Sequence, residues 1–349
     1  MRRTYRVIQW ATGLVGREAI KGIVAHPELE LVGCWVHSDA KVGRDAGEIA
    51  GIEPLGVLAT NSLDEICAID ADAVVYSPML ADEGEILRLI GSGKNVITPV
   101  GYIYPRPGAR TDEVEAACVA AKVTLHGTGE HPGGITERFP LTFSALCRNI
   151  RHVRMEEFSD IRNYAATSMV RDVMLFGQSP EVAAKSPMLK VMASGFLQSI
   201  DMVAHELGWT LDPKKRTLHE MSVATRPIDS PVGVIEPGTV AAQRFTWQGT
   251  VDAEPVITVR TNWMMDDGHL SDGWSLGEQR FETEIEGDGP PLLVTFHGLH
   301  PPVLGQDSWI GLIAAAMHCV NAIPYVVNAE PGIKTYLDLP LIAGRAARR

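Results

Sequence analysis

Two stretches carry the residue types that chemistry at a bound cofactor needs. The first is Ala11-Thr12-Gly13-Leu14-Val15-Gly16, between the apolar run Val7-Ile8-Gln9-Trp10 and a helix-like pattern with Ile20, Ile23 and Val24 on one face. Gly13 and Gly16 fill the second and third places of a G-x-G-x-x-G spacing, with Ala11 in the first. A strand, a tight turn and a helix bring backbone N–H groups and the positive end of a helix dipole to one spot, which suits a pyrophosphate. The second stretch is Gly127-Thr128-Gly129-Glu130-His131-Pro132-Gly133-Gly134. Here His131 offers a general acid with an ordinary pKa near neutrality, and Glu130 can orient it.

Other candidates flank these two. Past the second strand, around Val36, come His37, Ser38, Asp39, Lys41 and Arg44, where an adenosine ribose would lie. Lys41 and Arg44 suit a 2′-phosphate and so tilt the expected cofactor to NADP, while Asp39 keeps NAD open. Ser77 and Pro78 close one strand, and Thr98 closes the next. Tyr102 and Tyr104 follow; either hydroxyl can donate to a carbonyl or imine, or either ring can wall an apolar pocket. Asp160, Arg162, Asn163 and Tyr164 end a long strand, where Arg162 can grip a substrate carboxylate or pair locally.

The elements that must hold these residues read as two domains. Strand and helix patterns alternate through residues 1–135, as in a doubly wound parallel α/β sheet. Ser62 followed by Glu65 forms a capping-box pattern at one helix start. Residues 136–307 read as an α+β domain: a strand over 153–161, helical character over 165–210, then alternating strands to 296. A final helix, Ile310 to Ile323, is expected to pack back on the first domain as part of a 308–349 tail. The crevice between the domains is the default active site. Phe245, Trp247, Trp263, Trp274 and Phe281 in alternating strands suggest an apolar sheet face and hence a sheet-to-sheet homodimer.

Bulk properties narrow the class. A net charge of −12 argues against a general nucleic-acid binder. The five cysteines show no C-x-x-C pair, so no structural metal site is expected and the chain suits a reducing, cytoplasmic setting. No secretion-type leader and no run of about 18 apolar residues stand out, so no membrane partner is expected. The partner implied is a small-molecule substrate.

With these elements placed, the chain resembles the dihydrodipicolinate reductase-like oxidoreductases, in the 2,4-diaminopentanoate and native amine dehydrogenase branch. VIQWATGLVG, DAVVYSP from Asp72, GKNVITP from Gly93, GTGEHPGG from Gly127 and the tail from Ala316 carry the resemblance, which covers nearly the full length. It implies an N-terminal Rossmann domain, an α+β domain for substrate binding and dimerisation, and hydride transfer between NAD(P)H and a C=N or related acceptor. In the amine dehydrogenases a glutamate shortly before a Tyr-Pro polarises the amine or imine. Here Tyr104-Pro105 is preceded by Pro99, Val100, Gly101, Tyr102 and Ile103, without a carboxylate. The lysine and paired histidines of the dihydrodipicolinate reductases are not evident either. The expectation is therefore an NAD(P)H-dependent oxidoreductase on a small or medium organic substrate. Its alternatives are an amine dehydrogenase with Glu130 in the missing role, and a cofactor-binding sensor without turnover.

Overall fold

The computed structural model describes residues 3–346 apart from 163, 165, 231, 267 and 300–308. Asn163 thus lies outside the described residues. The chain forms two compact units, Met1–Gly134 with Leu312–Arg349, and Ile135–Gly311.

The first unit alternates strand and helix: β1 (Tyr5–Trp10), α1 (Leu14–Ala25), β2 (Leu29–Trp35), α2 (Ala46–Ala50), β3 (Ala59–Thr60), α3 (Leu63–Ala68), β4 (Ala73–Tyr76), α4 (Glu83–Gly91), β5 (Asn95–Thr98), α5 (Ala109–Ala121) and β6 (Thr124–Gly127). The second unit holds α6 (Ile135–Ser144), β7 (His152–Asp160), α7 (Pro180–Lys185), α8 (Met188–Leu207), β8 (Arg216–Val223), β9 (Val240–Val251), β10 (Glu254–Met264), β11 (Arg280–Glu286) and β12 (Leu292–Phe296). The tail, α9 (Trp309–Val327) and β13 (Gly332–Lys334), returns to the first.

Seven strands of the first unit stand in the order β13-β6-β5-β4-β1-β2-β3, and every pairing is parallel. The strands are short apolar runs buried on both faces, as a parallel sheet requires. Tyr5, Val7, Ala73 and Val75 meet Ile20 and Ile23 of α1 and Val320 and Ile323 of α9 on one face. Ile8, Trp10, Val74 and Tyr76 meet Ile86, Leu89 and Ile90 of α4 on the other. Helix starts follow the local chemistry: Asp45 accepts from Gly47 N–H, Ser62 from Glu65 N–H and Asp82 from Glu85 N–H. The order reverses at β1 and β4, the switch point where such sheets bind ligands beyond their carboxyl ends.

α9 corrects one expectation. Ile310–Val327 is a helix long and apolar enough to cross a membrane. Ala316, Cys319, Val320, Ala322, Ile323 and Val326 are buried in the core of the first unit, so this stripe of the helix serves packing. The helix also runs through Pro324 rather than ending near Ile323.

Among the described residues the second unit has six strands in the order β12-β11-β7-β10-β9-β8. All pairings are antiparallel except β7 with β10. Its core contains Val153 and Met155 of β7, Phe245 and Trp247 of β9, Val259 and Trp263 of β10, and Phe196, Ile200 and Val203 of α8. Phe196 and Trp247 stack with ring centroids 4.3 Å apart. Here too the structure corrects the sequence reading. Phe245, Trp247, Trp263 and Phe281 are all buried within the chain, and Arg244 covers Trp274 at 4.7 Å. They supply no exposed apolar patch. The opposite sheet face is polar: Arg154 pairs with Glu282 and Glu284 at 3.1 and 3.0 Å, and Asn262 donates to Glu156 at 3.0 Å.

Candidate functional site

The carboxyl ends of β1, β2, β4, β5 and β6 share one edge of the parallel sheet, and most of the expected cofactor residues follow them directly. At the turn after β1, Ala11 adopts a left-handed φ of 69°, the conformation for which the first glycine of the fingerprint normally serves. Gly16 is required by packing: a Cβ there would stand 2.1 Å from the Ala11 carbonyl oxygen. Gly13 differs, since nothing lies within 4 Å of the place a Cβ would occupy. No side chain caps α1 and its first turn holds no acidic residue, in contrast to α2, α3 and α4. An open glycine before the first N–H groups of α1, at Leu14, Val15 and Gly16, suits a diphosphate.

The turn is braced from beneath. Gln9, fully buried, places its Nε2, with two N–H donors, 2.9 Å from each of three acceptors, the carbonyls of Trp10 and Ala11 and Ser77 Oγ. That side chain ties the ends of β1 and β4 together across the switch point. Pro78 follows, and beyond it Met79 and Leu80 are each 52 % exposed. Trp10 stacks on Trp35 at 4.2 Å.

Positive charge gathers on the β2 side. Lys41 Nζ donates to the carbonyl of Thr12 at 3.1 Å and lies 3.0 Å from its hydroxyl. Partial burial lowers the Lys41 pKa, and the neighbouring Arg17 and Arg44 push it in the same direction. His37 and Ser38 are exposed beside this cluster. Asp39, also exposed, accepts from Asn61 Nδ2 at 2.8 Å.

On the far side, Thr98 is fully buried and its Oγ1 accepts from Val100 N–H at 3.0 Å. Tyr102 takes a left-handed φ of 56° and packs with the core beside β4 and β5; burial raises its pKa, and Glu83 adds to the rise. The close approach is fixed by Gly127, where a Cβ would stand 2.2 Å from the Tyr102 carbonyl carbon. Tyr104, Glu130 and His131 are half-buried. The loop that carries the last two is pinned from below. The hydroxyls of Thr128 and Tyr336, 2.6 Å apart, lie 3.1 and 2.7 Å from the Gly133 carbonyl and 2.9 and 2.7 Å from His318 Nδ1.

The chain is similar to known proteins. Residues 7–76 match the family model "Dihydrodipicolinate reductase, N-terminus", and residues 125–265 match "2,4-diaminopentanoate dehydrogenase C-terminal domain". An amine dehydrogenase from Streptomyces virginiae is 32 % identical, with 98 % of each chain covered. The chain belongs to the dihydrodipicolinate reductase-like oxidoreductases, in their amine and 2,4-diaminopentanoate dehydrogenase branch. A 2,4-diaminopentanoate dehydrogenase from Acetoanaerobium sticklandii is 27 % identical over 66 % of this chain and 61 % of its own. The structure of an amine dehydrogenase from Mycobacterium smegmatis shares the fold at a TM-score of 0.80 and 19 % identity, covering 98 % of this chain and 97 % of that one. This family member is an NAD(P)-dependent oxidoreductase of small molecules. The open Gly13, the uncapped α1 and the Lys41 cluster fit such a dinucleotide.

The remaining expected residues lie in the second unit of the oxidoreductase. Arg162 is held by its own neighbours: its guanidinium reaches Asp160 at 2.5 Å and Asp266 at 3.8 Å. Asp266 in turn binds His269 at 2.7 Å. Burial pushes the Asp160 pKa up against the pull of Arg162, whereas the Gly268 N–H, His269 and Arg162 draw Asp266 down despite its own burial. Arg162 is thus placed as a local ion-pair partner, and Tyr164 packs at the margin of the core.

Sequence reasoning missed Gln9, Arg17, His318 and Tyr336. Gln9 and Arg17 sit within a few residues of the fingerprint but outside its spacing. His318 and Tyr336 lie about as far along the chain from Thr128 as it allows, and no local pattern links them.

Proposed function

We propose that this oxidoreductase interconverts a primary amine with its imine or carbonyl counterpart, using NADP. The observation that carries the reading is the 32 % identity to an amine dehydrogenase across 98 % of both chains. The match of residues 125–265 to a diaminopentanoate dehydrogenase domain supports it. Bound nicotinamide supplies or accepts the hydride. Around it this chain's residues have separable tasks. Gly13 and the N–H groups of Leu14, Val15 and Gly16 hold the diphosphate. Lys41, with Arg17 and Arg44, holds a ribose 2′-phosphate. Ser77, Pro78 and Thr98 line the strand ends, and Tyr102 and Tyr104 wall the loop that lacks a carboxylate. Glu130 and His131 are held beside them by the Thr128 and Tyr336 anchors.

The test is NADPH oxidation with a panel of ketones, with and without ammonia, alongside preformed imines and enoyl compounds. Turnover of ketones only when ammonia is present supports the reading. Ketone reduction independent of ammonia, or enoyl reduction alone, refutes it.

A further inference from the structure

A recess of about 500 Å³ lies within the first unit. Tyr5 lines it at the start of β1, whereas the dinucleotide turn follows the other end of that strand. α9 supplies Tyr325, and the chain beyond α9 supplies Glu330, Lys334 and Asp338. Pro324 and Leu339 add apolar wall. The size is that of a small-molecule site.

Its polar groups are only partly used by the chain itself. Tyr5 is 8 % exposed, and its hydroxyl oxygen accepts from Asn328 Nδ2 at 2.7 Å. The Tyr5 O–H has no acceptor among the described residues. Tyr325 repeats the pattern: its oxygen accepts from the Ala343 N–H and from Arg345 Nη1, each at 3.4 Å, and its proton has no acceptor there either. The Arg345 hydrogen bond draws the Tyr325 pKa down, which makes that phenol a better donor. Charges of both signs line the same recess. Glu28 and Arg345 pair with each other at 3.0 Å. Lys334, Glu330 and Asp338 form no ion pair with any described residue. Opposite charges held apart beside unused phenol protons suit a ligand that carries both a carboxylate and an ammonium.

We propose that this recess binds a free α-amino acid with an apolar side chain, and that the bound molecule regulates the glycine loop of the same unit. Lys334, Tyr5 and Tyr325 donate to the carboxylate, and Glu330 and Asp338 accept from the ammonium. Pro324, Leu339 and the tyrosine rings pack on the side chain. Coupling runs through residues 334–338, which face both places. The Lys334 side chain lines the recess, while its carbonyl oxygen lies 2.7 Å from His126 Nδ1. Asp338 Oδ2 accepts from the Thr335 N–H and hydroxyl, each at 2.8 Å. Between them the Tyr336 hydroxyl lies 2.6 Å from that of Thr128 and 2.7 Å from the Gly133 carbonyl oxygen. A ligand that fixes Lys334 and Asp338 thereby steadies the segment that anchors the loop.

The experiment uses the full chain with saturating NADPH, so that the dinucleotide site is filled. Calorimetry follows binding of L-phenylalanine and L-leucine, and mass spectrometry follows amide hydrogen exchange over residues 127–134. At least one of the two should bind and slow that exchange about fivefold or more. 3-Phenylpropanoate and 2-phenylethylamine each lack one charge and should bind at least about tenfold more weakly than phenylalanine. Lys334→Gln and Glu330→Gln should each weaken amino-acid binding by about the same factor, with NADPH affinity unchanged. No readout needs turnover, so the outcome is independent of the amine reading. Binding of neither amino acid, or equal binding of 3-phenylpropanoate, would overturn the proposal. So would an affinity indifferent to both substitutions, or loop exchange unmoved at saturation.

Discussion

The ammonium of Lys41 lies 3.1 Å from the carbonyl oxygen of Thr12 and 3.0 Å from its hydroxyl, so a charge carried past β2 is tied to the turn after β1. One side chain thereby braces the turn after β1 and sets its charge next to Arg17 and Arg44, the cluster proposed to take an NADP 2′-phosphate. Lys41→Ala should raise the Kd for NADPH about tenfold, since a hydrogen bond to a charged group contributes about 1.5–3 kcal/mol. The Kd for NADH should change less, and Arg44→Ala should act in the same direction. Calorimetric titration of both cofactors checks this; a clear preference for NADH, indifferent to both substitutions, would contradict it.

The turn itself yields opposite outcomes at three neighbouring positions. Ala11 holds a φ of 69°, which costs a side-chain-bearing residue about 1–2 kcal/mol relative to glycine's freedom there. Ala11→Gly should leave the melting temperature equal or higher, with cofactor binding intact. Gly16→Ala should destabilise, because its Cβ would meet the Ala11 carbonyl at 2.1 Å. Gly13→Val should fold, having open space before it, yet lose dinucleotide binding. Thermal melts paired with cofactor titration separate the three; a Gly13→Val protein with normal affinity would remove the diphosphate site from the account.

Much of this unit is legible in the sequence because its signals are local. Gly13, Gly16, the Ser62 cap and the apolar strands each act within a few residues, so spacing alone finds them. Apart from Gln9 and Arg17, what spacing does not find is long-range. β13 is three residues long and exists because Gly332–Lys334 pairs with Thr124–His126. Tyr336 matters through Thr128, Gly133 and His318, all distant in sequence. The aromatics of β9 and β10 show the converse: alternation reveals that one face is apolar but not which layer covers it, and here α8 does.

Tyr336 provides a test of that long-range link. Tyr336→Phe removes the hydroxyl shared by Thr128, Gly133 and His318, and should cost about 1–3 kcal/mol of stability. Because the freed loop carries Glu130 and His131, kcat should fall while the Kd for NADPH stays within about twofold. A variant destabilised but with unaltered kcat would show the anchor to be structural only.

His126 sets an acid limit. It is fully buried, with Nδ1 2.7 Å from the Lys334 carbonyl and Nε2 without a hydrogen-bond partner among the described residues. Burial lowers its pKa from 6.5 to about 4, outweighing the Lys334 hydrogen bond and Asp338. The folded form therefore refuses a proton that the unfolded chain accepts below about pH 6.5. Stability should be complete above that pH and decline as pH falls towards 4, by on the order of 3 kcal/mol at the low end. Denaturant titrations across this range should show the slope, and His126→Gln should flatten it.

The central claim, hydride transfer between NADP and an amine carbon, is tested most directly by isotope. The protein is incubated with NADPH deuterated at nicotinamide C4, in each stereochemical form, together with ketones and ammonia, and the amine product is examined by mass spectrometry. The account predicts deuterium on the carbon bearing the new amine, from one C4 face only. An undeuterated amine, or no amine from any ketone while the cofactor demonstrably binds, would contradict it.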